Sequence, residues 1–352
     1  MSVKRYLLLT LVLVLAAALA GCGGEKLNKL GYYPKLNVYN WSDYIDPEVL
    51  KDFEDEYGIK VNYENFATNE EMLAKLKAGG TSYDVLFPSD YMVQALIELG
   101  MLQELDFDNL GNFKNVDPMF KNLIFDPENK YSVPYFWGTM GIVYDSIRIP
   151  EEITSWRALW DPRYAGKIVM LDSSRDSIGI TLKMLGYSAN TRDLGELNEA
   201  MEELIKQKPL VRSYEIDAFK DMIASGDAIM SLCWSGDAML LISEHSNLSY
   251  SIPKEGTNVW VDCMVVPTTS KHKREAELFI DYMLRPDVNA KCALAVGYST
   301  ANTEAIKLLP KEIQENEVAY PKGNVWDKGE IFVDLGEFTI EYDRVWTEIK
   351  SR

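Results

Sequence analysis

The sequence predicts an α/β protein of two lobes with a ligand cleft between them, and three observations carry that reading. Strand-like and helix-like segments alternate from Leu36 onward, the pattern of strands joined by crossover helices on a parallel sheet. The chain of 352 residues is longer than one hydrophobic core comfortably fills. No Gly/Ser/Pro-rich linker divides it midway, so ordered strands are expected to join the lobes. Open α/β sheets bind ligands at their strand ends, which puts the cleft there.

The elements follow in order. Residues 36–41 read as a strand, and Asp46-Pro47 opens a helix that sets Val49, Leu50, Phe53 and Tyr57 on one face before Gly58 stops it. Residues 59–66 alternate as a second strand, Asn69 is expected to cap a helix, and residues 83–89 form a third strand before a helix from Asp90. These make one βαβαβ unit. A second block begins near Tyr135, with strands at 141–145, 167–172, 210–215 and 228–234 and helices at 177–186, 196–207 and 218–226. After a strand at 258–267, the helix 273–284 turns Ala276, Phe279, Ile280, Met283 and Leu284 inward.

The front of the chain sets the compartment. Lys4 and Arg5 precede an apolar run from Tyr6 to Ala18, too short for a comfortable membrane span and right for a signal-peptide core. It ends in Leu19-Ala20-Gly21-Cys22, which resembles the lipobox of bacterial lipoproteins. Residues 1–21 are expected to be a lipoprotein signal peptide, Cys22 the lipidated mature N-terminus and 22–35 a tether. The mature chain is then extracytoplasmic and anchored to the cell membrane by its lipid. The formal net charge is −18, from 36 basic and 54 acidic side chains, and loss of Lys4 and Arg5 makes it −20 (34 against 54). Such a surface disfavours nucleic acid and favours cationic ligands. Cys233, Cys263 and Cys292 form no C-x-x-C pair, and His245 and His272 are the only histidines, so neither a metal site nor a cofactor is expected. Cys263 and Cys292 could pair, or all three could be buried thiols.

Motifs for catalysis are missing. There is no G-x-G-x-x-G, Walker loop, G-x-S-x-G or H-E-x-x-H, so no catalytic residue is assigned. What recurs is an aromatic at a strand end beside a polar or acidic residue: Asn40-Trp41-Ser42-Asp43-Tyr44, Pro88-Ser89-Asp90-Tyr91, Trp234-Ser235-Gly236-Asp237, Trp260-Val261-Asp262 and Gly297-Tyr298. An alkylammonium ligand uses such a set well. Ring faces attract each ammonium by about 0.5–2 kcal/mol, carboxylates give charge-assisted hydrogen bonds, and each methylene buried between rings contributes about 0.8 kcal/mol. Taken singly, each aromatic is also an ordinary core residue, and Asp43, Asp90 and Asp237 could be helix N-caps. Asp262 is harder to place that way, because an acid in an apolar strand is costly to bury without a partner. Trp156, Trp160, Trp326 and Trp346 read as structural.

From Leu36 onward the chain resembles the spermidine/putrescine-binding proteins of bacterial ABC importers, within the extracellular solute-binding proteins. The likeness rests on NWSDYIDPEVLKDFEDEYGIKV, NEEMLAKLKAGGTSYDVLFPSDYMV, YSVPYFWGTMGIVYD, TSWRALWDPRYAGKIVMLDSSRD, WSGDA, PKEGTNVWVD and RPDV with GYSTAN, in that order. The resemblance implies a type II periplasmic-binding-protein-like fold, with residues 36–138 and 262–305 in lobe 1 and 139–261 and 306–352 in lobe 2. It implies a polyamine held in the cleft by Trp41, Ser42, Tyr44, Ser89, Tyr91, Asp176, Trp234, Trp260, Asp262 and Tyr298, with Asp262 gripping one ammonium. It also implies the permease and ATPase of an importer as partners. Two positions depart from the pattern: Ser173 stands where a second acid is expected, and Phe332 where some relatives carry glutamine. A receptor for another solute, a lipoprotein hydrolase and a polyamine sensor remain the alternatives.

Overall fold

The computed structural model describes residues 26–80, 82–322 and 325–352; the expected signal peptide and Cys22 lie outside the described residues. Strands β1 (Lys35–Trp41), β2 (Lys60–Phe66) and β3 (Val85–Leu86) pair in parallel with β1 central, the predicted βαβαβ unit. The Pro47–Tyr57 helix between β1 and β2 starts as its sequence requires. Asp46 accepts from the Glu48 amide, Pro47 supplies the fixed φ of a first turn, and Gly58 ends the helix at φ 63°. The next helix, Asn69–Ala78, is capped by Thr68 rather than Asn69. Thr68 is extended and accepts from the Glu71 amide, which frees the Asn69 side chain for the site described below.

Strand β4 (Ser132–Asp145) is fully buried along its 14 residues and is much longer than the sequence suggests. It runs antiparallel to β9 (Val259–Val265), with Gly138 opposite Trp260. One end of β4 lies in the sheet with β9, and the other pairs with β7 (Met230–Trp234) and β8 (Leu248–Ser251). β7 continues to β5 (Ile168–Leu171) and β6 (Val211–Glu215), giving the order β2-β1-β3-β9-β4-β7-β5-β6. The short β10 (Ser299–Thr300) pairs with β4 at Phe136 and Trp137. β4 and β9 therefore carry the chain from one lobe to the other as paired strands. A third crossing is the segment near Glu330, which bridges in parallel to Asn258.

Two apolar cores flank the crossing. One gathers Val38, Phe53, Val93, Phe136 and Phe279; the other gathers Ile142, Trp156, Ile180, Leu232 and Val345. The burial of Ala276, Phe279, Ile280, Met283 and Leu284 follows the predicted helical face. At two places the cores divide the chain differently from the expected lobe boundaries. Val259 and Val261 pack in the first core, as do Leu309 and, at its edge, Ile313, Tyr320 and Trp326. Leu309, Ile313, Tyr320, Trp326 and Ile331 thus lean on the first core, whereas Val318 and the segment from Val333 pack on the second. The Trp137 and Trp326 rings meet at a tilt, 4.9 Å apart, which explains the attachment. Cys233, Cys263 and Cys292 are free buried thiols, so the Cys263–Cys292 pairing is not formed.

Candidate functional site

The acid of β9 is the centre of the site. Burial in the pleat leaves Asp262 only 6% exposed, and β-bridge geometry sets it against Ser89. The Tyr44 hydroxyl donates to its Oδ2 at 2.6 Å, while its Oδ1 is buried with no hydrogen-bond partner among the described residues. Burial pushes its carboxyl up to about 6, although the hydrogen bond from Tyr44 pulls the other way. A bare carboxylate oxygen in such surroundings favours a cation.

Rings enclose that oxygen's neighbourhood. Tyr44 meets Tyr298 edge-on at 5.4 Å, and Tyr298 meets Trp260 edge-on at 5.3 Å. Trp260 can lie flat on β4 only because position 138 is glycine: a Cβ there would come within 2.4 Å of the indole. Tyr298 likewise lies on Gly236, whose Cβ would come within 2.0 Å of its ring. The Trp260 indole nitrogen is buried without a partner among the described residues.

Asn69 ties the next two predicted residues together. Its amide donates to Ser89 Oγ at 3.1 Å and to the Tyr91 hydroxyl at 3.0 Å, and its Oδ1 accepts from the Ser89 amide. Tyr91 donates in turn to Glu70 at 3.0 Å. Asp90 is not an N-cap: Ser89 holds that place, and the wholly buried Asp90 accepts from the Tyr91 and Val261 amides. Burial raises its carboxyl well above the usual range.

The second lobe contributes the start of the Ser174–Leu185 helix and the end of β7. Asp176 is 9% exposed, its amide donates to the Ser173 hydroxyl at 3.4 Å, and its carboxyl lies near Trp234. Burial raises it to about 6. Asp237, just past Trp234, is also buried, faces Lys220 Nζ at 3.5 Å, and lies near Tyr298 of the first lobe. Arg175 links the lobes at the same end. Its guanidinium lies 5.4 Å from the Tyr91 ring and 4.6 Å from Phe332, and it donates to the Val333 carbonyl and to Asn190. Asp334 in the same segment donates its amide to Gln94 of the first lobe at 3.0 Å.

Tyr44, Ser89, Tyr91, Trp260, Asp262 and Tyr298 thus form one connected set, and Asp176 with Trp234 forms a second from the facing lobe. Trp41 stands to one side, its ring packed on Phe66 at 4.4 Å and its Nε1 buried without a partner among the described residues. Ser42 is exposed on the turn after β1. No group of residues able to hold a metal ion occurs among the described residues.

A two-lobed sheet whose long shared strands place aromatic rings and a bare buried acid at the crossing is the architecture of a solute receptor, and the chain's likeness to known proteins agrees. The profile of the bacterial extracellular solute-binding protein family matches residues 48–320. This chain belongs to that family. It is 38% identical over 318 residues to the "Spermidine/putrescine-binding periplasmic protein" of Salmonella typhimurium, covering 90% of this chain and 91% of that one. It is 33% identical to the "Putrescine-binding periplasmic protein PotF" of Escherichia coli, covering 90% and 91%. Among solved structures it is similar to the spermidine/putrescine ABC transporter substrate-binding protein PotD of Streptococcus pneumoniae, with TM-score 0.81, 38% identity and coverage of 90% and 98%. It is also similar to the TpPotD lipoprotein of Treponema pallidum, with TM-score 0.83, 26% identity and coverage of 90% and 100%. The fold is that of the type II periplasmic binding proteins.

Several side chains that contact this candidate site carry no signal for it in the sequence. Asn69 reads as a cap in the sequence, and Lys220, Arg175 and Gln94 carry no strand-end signal. Each is a long or amide side chain on a helix that reaches a distant partner, and only the packing of helices brings such pairs together.

Proposed function

We propose that the chain is the receptor of an ABC importer, captures spermidine or putrescine between its lobes, and delivers it to the membrane permease without chemical turnover. The single observation that carries the reading is Asp262: a buried carboxylate with one oxygen lacking a partner among the described residues, walled by Tyr44, Tyr298 and Trp260. An ammonium satisfies that oxygen and takes cation–π attraction from the rings. The names of the relatives support the same ligand class. Asp176 with Trp234 is the second anchor, Ser89 and Tyr91 line the path between, and Trp41 and Ser42 form the outer wall. The crossings at Gly138/Trp260 and near Glu330 act as the hinge, so that closure removes the amine from water. Cys22 carries the lipid that keeps the receptor at the membrane.

Isothermal titration of the chain from residue 23 with putrescine, spermidine, spermine and 1,4-butanediol tests this. Saturable one-to-one binding of an amine and none of the neutral diol is expected. A folded, ligand-free sample that gives no heat with any amine would sink the proposal.

A further inference from the structure

The chain carries a formal net charge of −18, yet the edge of the first lobe where the chain enters β1 is basic and partly apolar. Residues 26–34 pack on that edge and are not a loose tether. Asn28 closes a turn: its Oδ1 accepts from the Leu30 and Tyr32 amides at 2.9 and 3.0 Å. Its Nδ2 donates to the Tyr57 and Gly58 carbonyls at the end of the Pro47–Tyr57 helix. Tyr32 then meets Tyr57 edge-on, with the Arg274 guanidinium 4.6 Å from its ring, and Tyr33 stacks on His272 at 3.7 Å. A frayed tail exposes leucines at random. This turn is fixed, and it holds Leu27 60% and Leu30 58% exposed, a pair of large apolar side chains kept in water.

Lys26, Lys29, Lys35 and Lys60 are exposed, and none is in an ion pair among the described residues. Lys35 and Lys60 are partners across β1 and β2, and Gly58, which receives Asn28, lies two residues before Lys60. The acids of this edge are mostly committed. Glu54 accepts from the Val61 amide, Glu275 accepts from the Tyr33 amide, and Glu56 pairs with Arg285; Asp55 is exposed. Leucines ringed by lysines suit an anionic lipid interface, where the apolar chains enter the headgroup boundary and the ammonium groups meet the phosphates. The position along the chain agrees. Lys26 follows Cys22 by four residues, which reach at most about 14 Å when extended, so a lipid on Cys22 keeps this edge beside the bilayer. The ligand residues lie at the other end of the sheet: β1 starts here at Lys35 and runs seven residues, about 20 Å, to Trp41.

We propose that Leu27 and Leu30, with the lysines around them, form a seat for an anionic membrane surface that holds the first lobe upright, its cleft pointing away from the lipid. This rests on the reading of Cys22 as the lipidated residue. The contact is small and therefore reversible, so the receptor lifts from it to meet a permease. The test is amide hydrogen exchange over residues 26–31 of the lipidated full chain, on vesicles of phosphatidylcholine alone and with added phosphatidylglycerol. Exchange is expected to slow on the anionic vesicles by at least about fivefold, the effect of one lysine at an anionic surface. The slowing is expected to vanish in Leu27→Ser/Leu30→Ser, whose replaced side chains are exposed; circular dichroism and polyamine titration will show its fold intact. If that variant does not fold, the wild-type contrast between the two vesicles decides. Equal exchange on both vesicles overturns the seat while the lipid anchor stands. Slowing that persists in the folded double variant overturns the assignment to this turn. Protection that grows with protein concentration in the chain from residue 23, without vesicles, gives the leucines to a second copy of the chain and overturns the lipid partner. A chain that mass spectrometry finds unmodified at Cys22 removes the anchor reading and the seat with it.

Discussion

Asp262 and Asp176 share an unusual state for carboxylates: both are buried and both are raised to about 6. The proposed ligand needs them ionised. Below pH 6 each acid must lose a proton before it can pair, and affinity drops about tenfold per pH unit per group. Titrations at pH 7 and pH 5 are therefore expected to differ by about a hundredfold if both acids contribute, with a plateau from pH 7 to 9 while the amines stay charged. The same shifts act on the ligand-free fold with a definite sign. Acids whose folded pKa exceeds the unfolded one bind more protons when folded, so their contribution weakens stability as pH rises from 4 through 6. An affinity that is flat from pH 7 to 5 would remove both acids from the account. Asp262 was legible in the sequence because an acid in an apolar strand needs a reason. Asp176 came only through the family resemblance, since an acid in a first helical turn is ordinary.

At the scale of elements, glycines decide how closely the lobes meet. Gly236→Ala sets a Cβ within 2.0 Å of the Tyr298 ring, with Gly236 itself in a helix start. Tyr298 must move, and with it the edge contacts to Tyr44 and Trp260. We expect at least a tenfold loss of polyamine affinity with the circular dichroism spectrum retained; unchanged affinity would show that Tyr298 does not shape the ligand wall. A contrasting change is Asp46→Ala, which removes the cap of the Pro47–Tyr57 helix. It should cost about 1 kcal/mol in chemical denaturation and leave affinity untouched. The βαβαβ unit was readable because its caps, glycine stop and apolar periods all agree. The length of β4 was not, because a strand buried on both faces shows no alternation, and Pro134 and Gly138 interrupt its apolar run. Thr68 displaced Asn69 as cap because both are good caps and only tertiary structure gives Asn69 a better use at Ser89 and Tyr91.

For the whole molecule, the division into two cores joined by β4, β9 and the segment near Glu330 makes closure the natural response to a bridging ligand. Small-angle scattering is expected to give a smaller radius of gyration with saturating amine than without it, and an unchanged radius would argue against a clamp. The alternation of strands and helices was enough to read the α/β class and two lobes. It could not show that Leu309, Tyr320 and Trp326 lean on the first core, since that depends on Trp326 finding Trp137 and Phe120. The central claim, however, stands on one side chain, and Asp262→Asn tests it most directly. Asparagine keeps the shape and can still accept from Tyr44, but it carries no charge for an ammonium. Titration of this variant beside the wild-type chain should show affinity lost by at least about a hundredfold, the lower range for one partner of a buried charge pair, with the melting temperature maintained. Wild-type affinity in a folded Asp262→Asn chain would contradict the account.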